Sequence, residues 1–140
     1  MEAIAVILFI IFLVLGIIHF YWLFGGNWGI DASLPTNEKG EKMLNPSKLT
    51  MLVVGLGLVI FGLFYLVIVN IINIPLPAII VNYAKWIIPI IFLIRVVGDF
   101  NYSGFFKKVK DTRFAKSDRT IFMPLCFVLG ILGIIHAILI

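Results

Sequence analysis

Thirty-six consecutive residues without a formal charge separate Lys48 from Lys85, and this gap constrains the fold more than any other feature of the chain. A bilayer-spanning helix rises about 1.5 Å per residue through a hydrocarbon core about 30 Å thick, so it needs about 20 mostly apolar residues. The gap is too long for one such helix, and Asn73, Pro75 and Pro77 interrupt it. Two more charge-free stretches, residues 3–30 and 120–140, lie on either side. Of the 140 residues, 62% are hydrophobic and 13% charged, against roughly 45–50% and about 25% in a soluble domain. A water-soluble fold has no interior large enough to hold that excess, and the same composition excludes disorder and fibrous repeats. The chain reads as one integral membrane domain over residues 1–140.

Four spans are predicted, over residues 3–24, 48–71, 78–98 and 121–140. The first is not expected to be a cleavable signal peptide, because its leading segment holds Glu2 and no Lys or Arg and its apolar run is too long. Asn45 can cap the second span, and Pro46 suits a first helical position, where a missing N–H costs nothing. The turn to the third span runs through Asn73-Ile74-Pro75-Leu76-Pro77. That third span holds Asn82, Lys85, Pro89 and Arg95. Pro89 leaves the carbonyl of Lys85 without its usual donor, so a kink is expected there. Lys85 is shallow enough to snorkel to the interface beside Tyr83 and Trp86. In the fourth span Pro124 falls in the first turn, where proline is tolerated.

Charge placement orients the spans. Lys39, Lys42 and Lys48 belong to the first long loop, and Lys107, Lys108, Lys110, Arg113, Lys116 and Arg119 to the third. With four spans these loops share a side, which gathers nine of the 11 lysines and arginines there. Arg95 lies near the same face, and Lys85 alone lies toward the other. The positive-inside rule puts the loops in the cytoplasm and both termini outside. The expected fold is therefore an all-α, four-helix transmembrane bundle in the cell membrane. Its third loop interleaves the basic residues with Phe100, Tyr102, Phe105, Phe106 and Phe114, a pattern suited to anionic lipid headgroups. Equally, such a loop can do no more than obey the orientation rule. Either way, the net charge of +4 requires no nucleic acid.

Ionisable groups at membrane depth are functional candidates because they are costly there. His19 and Arg95 should lie at one level near the cytoplasmic mouth, with Asp99 at the boundary. Arg95 and Asp99 stand four residues apart, a spacing that makes an ion pair geometrically cheap on a continuing helix. Trp22 is one turn beyond His19, and Gly25, Gly26 and Asn27 follow. The candidate binding constellation is His19, Trp22, Asn27, Arg95 and Asp99. Its structural counterpart is an interhelical hydrogen bond or ion pair that merely fixes packing.

His136 belongs elsewhere, although Gly133-Ile134-Ile135-His136 repeats Gly16-Ile17-Ile18-His19. Its span runs the opposite way, so the two imidazoles should differ in depth by more than about 10 Å. His136 is read as a hydrogen-bonding packing residue. No metal and no other cofactor is expected, since the histidines lie apart and Cys126 is the single cysteine, read as a small apolar filler. Gly55 with Gly62, and Gly133 with Ala137, mark faces on which helix backbones can approach closely. Nothing resembles a phosphate-cradling loop, a zinc-protease helix or a nucleophile elbow.

Two stretches carry a family resemblance. The first is His19-Phe20-Tyr21-Trp22 with Gly25-Gly26-Asn27-Trp28-Gly29 and Pro35. The second runs from Arg95-Val96-Val97-Gly98-Asp99 through Phe100-Asn101-Tyr102-Ser103-Gly104-Phe105, then Thr112-Arg113-Phe114-Ala115, Asp118 and Pro124-Leu125-Cys126. Over nearly its whole length the chain resembles small four-span bacterial membrane proteins of domain-of-unknown-function family 3995. The resemblance implies four spans in a bacterial cytoplasmic membrane and supplies no activity, substrate or cofactor. Three functions remain open on the residues alone. One is a binding or accessory protein holding a lipid headgroup or small amphiphile at the cytoplasmic mouth. Another is a structural or transport subunit acting as a homo-oligomer. The last is an intramembrane enzyme modifying a lipid or isoprenoid, with His19 as acid/base and Asp99 as its partner.

Overall fold

The computed structural model describes residues 2–26, 48–97, 121 and 123–140. Within them the chain forms four helices and no strand: α1 (Glu2–Leu23), α2 (Lys48–Ile68), α3 (Ala78–Val97) and α4 (Met123–Leu139). The first three, of 22, 21 and 20 residues, are long and apolar enough to cross a membrane, and α4 is shorter at 17. Most of loop one and all of loop three (residues 99–120) lie outside the described residues.

The helix ends follow from local backbone chemistry. At the end of α1, Gly25 adopts φ 98°. Its N–H reaches the carbonyl of Trp22 at 3.1 Å, while that of Gly26 reaches Tyr21 at 2.9 Å. This is a Schellman cap, which satisfies the last carbonyls and favours glycine in its left-handed position. The same motif closes α2 with asparagine in that position. Asn70 has φ 63°, its N–H bonds Val67 at 3.1 Å, and Ile71 bonds Leu66 at 3.0 Å. The second helix therefore stops at Ile68, three residues before the expected Ile71. Hydropathy continues through that point, and the left-handed tolerance of asparagine ends the helix. Pro77 opens α3, its carbonyl accepting from Ile80 at 3.0 Å and Val81 at 3.3 Å. The third helix remains helical through Pro89, which is buried.

Glycines set how the helices pair. Gly55 and Gly62 of α2 receive α1: a Cβ on Gly62 would lie 3.1 Å from the Phe12 side chain, and one on Gly55 would lie 3.1 Å from Phe20. Gly16 of α1 faces Gly55 and Val59 in return. These pairings descend on one helix as they rise on the other, so α1 and α2 are antiparallel. On the other side of the bundle, Gly130 packs on Leu93 and the Pro89 carbonyl, and Gly133 packs on the Pro89 ring. Close van der Waals approach matters here because lipid tails offer side chains as apolar a surrounding as the protein does. The expected small-residue faces are thus used within the chain.

Phe12 is the hub of the core. Its ring stacks with Tyr65 of α2 at 6.1 Å between centroids, meets Phe61 edge-on at 6.0 Å and touches Phe92 of α3 at 5.3 Å. Leu8, Leu58, Ile88 and Leu129 fill the space around it. The Phe12–Phe92 contact brings α1 and α3, which run in the same direction, to one depth.

Candidate functional site

Two histidines occupy the bundle, in unrelated settings as their spacing requires. His19 lies half-buried near the end of α1, its Cβ 3.4 Å from where a Cβ on Gly55 would stand. Its Nδ1–H donates to the carbonyl of Leu15, one turn back, at 2.7 Å. A neutral ring that donates from Nδ1 keeps its lone pair on Nε2. Trp22 lies edge-on to the imidazole, 5.1 Å between centroids, as expected for residues one turn apart on a shared face. The cap at Gly25 then ends the helix just past Trp22.

Arg95 sits in the last turn of α3, half-buried, with Nη1 inaccessible to solvent. The Phe12–Phe92 contact gives a common origin for depth. From it His19 is seven residues along α1 and Arg95 three residues along α3, roughly 10 Å and 5 Å toward the same end. Along the bundle axis the two residues thus stand about one helical turn apart. Two members of the expected constellation, Asn27 and Asp99, lie outside the described residues, as does the basic aromatic segment of loop three.

On the other side of the Phe12 hub the structure assembles polar groups that sequence reasoning did not join. His136 is 0% exposed and Tyr65 1% exposed. Their rings meet edge-on at 5.5 Å, and the Tyr65 hydroxyl lies 3.1 Å from the position of a Cβ on Gly133. Neither His136 nitrogen nor the Tyr65 hydroxyl has a hydrogen-bond partner. The reading of His136 as a hydrogen-bonding packing residue is corrected accordingly: it is buried packing without the bond. The available signal was a tyrosine inside an apolar span, three residues after a helix-packing glycine, matched by His136 three residues after Gly133.

One turn outward from this pair lies a cavity of about 450 Å³. Its walls include Ile68, Val81 and Ile140, and its polar groups are Asn70, Asn82 and Lys85. Lys85 is half-buried, with Nζ 6.0 Å from the centroid of the Trp86 ring, the outer limit for attraction between a cation and a ring face.

Four helices with a lipid-like exterior and costly ionisable groups inside define the class: a small helical membrane protein. Within it, residues 12–133 match the family model described as Protein of unknown function (DUF3995), and the chain belongs to that family. No curated protein and no solved structure matches the chain.

Proposed function

We propose that this is a four-span, multi-pass protein of the bacterial cytoplasmic membrane that binds the anionic headgroup of a lipid or small amphiphile at its cytoplasmic mouth. Both termini then lie outside, the orientation favoured by nine of 11 basic residues falling in or beside loops one and three. The observation that carries the reading is the half-buried guanidinium of Arg95, close in level to the His19–Trp22 pair. A guanidinium makes forked, charge-assisted bonds to phosphate. His19 Nε2 accepts a headgroup hydroxyl, or donates to phosphate once protonated. Trp22 supplies an amphipathic ring suited to the headgroup level. Asn27 and Asp99 complete the proposed mouth, and the basic loop-three residues draw anionic lipid toward it.

Native mass spectrometry of gently extracted protein tests the proposal. Parent protein and Arg95→Lys should retain a lipid-sized adduct that Arg95→Ala loses. Identical adduct distributions in parent and Arg95→Ala would overturn it.

A further inference from the structure

The outer cavity is a separate matter from the mouth. Charged side chains within spans are costly and tend to face protein or water-filled space. Lys85 is also the one basic residue placed toward the end that the orientation bias leaves poor in positive charge. It lines the cavity, with Asn82 one turn away on α3 and Asn70 across from it at the α2 cap. Asn70 is held by the left-handed backbone that ends α2. The apolar walls Ile68 and Val81 complete a space within the roughly 300–1,000 Å³ range of small-molecule sites. This volume suits a headgroup with a few methylenes.

The buried Tyr65–His136 pair lies close to the cavity without lining it. Ile68 stands three residues past Tyr65, Ile140 four past His136, and Lys85 four before Pro89. The cavity thus lies about one helical turn, roughly 5 Å, outward of the buried pair. Three polar atoms of that pair are buried without partners. The lining itself is polar at Asn70, Asn82 and Lys85. Pro89 adds to this polarity, since a proline frees the carbonyl four residues earlier, here that of Lys85.

We infer that the cavity is a second binding site, for a small organic anion of the alkyl phosphate class. Lys85 holds the charge, and the carboxamides of Asn70 and Asn82 hydrogen-bond the remaining oxygens. The same phosphate chemistry is available from a lipid headgroup or from a free phosphate ester.

Hexyl phosphate binding to the full-length protein in zwitterionic nanodiscs is the test, with histidine ring 15N resonances followed by NMR. Parent protein and Arg95→Gln should bind with similar affinity at this site, Lys85→Arg should retain binding, and Lys85→Gln should weaken it at least tenfold. In Arg95→Gln, where the mouth is disabled, saturation should move the His136 ring signals and leave those of His19 in place. Competition by inorganic phosphate identifies a free phosphate as the natural source, whereas displacement only by phosphatidylglycerol identifies a lipid headgroup. Equal affinity in Lys85→Gln, or a response at His19 in place of His136 in Arg95→Gln, would overturn the assignment.

Discussion

Replacing Gly133 by alanine tests whether close approach of α3 and α4 sets the bundle's geometry. The new methyl would stand 2.7 Å from Pro89 Cβ and 3.1 Å from the Tyr65 hydroxyl. The proline ring is rigid and its backbone helical, so it cannot swing aside as a flexible side-chain end would. Overpacking of this kind typically costs about 1–3 kcal/mol. Against it stands the gain of about 0.5–1 kcal/mol when a helix-interior glycine becomes alanine. Gly57 isolates the two effects, because a Cβ there meets nothing within 4 Å. Gly57→Ala should therefore show the propensity gain alone. The difference between the variants cancels that gain and reads the steric cost, about 1–3 kcal/mol. Reversible unfolding in mixed detergent and SDS micelles, followed by circular dichroism, measures both. Equal shifts for the two variants would refute the packing of Gly133 on Pro89.

Other outcomes follow from the caps and the buried pair. Asn70→Gly should leave stability nearly unchanged, whereas Asn70→Val should lower it by about 1–2 kcal/mol, the cost of a left-handed residue with a Cβ, in the same unfolding assay. Tyr65→Phe removes a buried hydroxyl that has no partner, so in ligand-free detergent it should be neutral or stabilising by up to about 1–3 kcal/mol. A loss of stability would place a native hydrogen bond on that oxygen.

Three helices were legible because charge is scarce: the gaps that open after Glu2, Lys48 and Arg119 nearly mark the starts of α1, α2 and α4, whereas α3 holds Lys85 and Arg95 and was placed by the Asn73–Pro77 turn before it. Their last turns were less so. Asn70 sits among isoleucines and valines, and nothing in its hydropathy marks the left-handed backbone that ends α2. Gly55 and Gly62 announced a packing face, since seven residues return to the same side of a helix. The contact between His19 and Trp22 followed from their spacing alone. Tyr65 and His136 could not be joined that way. When nearly every position of two helices is apolar, periodicity does not fix which faces meet. Their encounter depends on how Gly133 and Pro89 set the rotation of α4 against its neighbours.

The binding claim rests on contact between Arg95 and a phosphate, and solid-state NMR can measure that contact. In a variant carrying Arg113→Lys and Arg119→Lys, Arg95 is the sole arginine, so its guanidinium nitrogens give an isolated 15N signal. In bilayers containing phosphatidylglycerol, recoupling to 31P should dephase that signal with an N···P distance of roughly 4 Å, as charge-assisted N–H···O–P geometry requires. A guanidinium signal untouched by 31P recoupling would contradict the account.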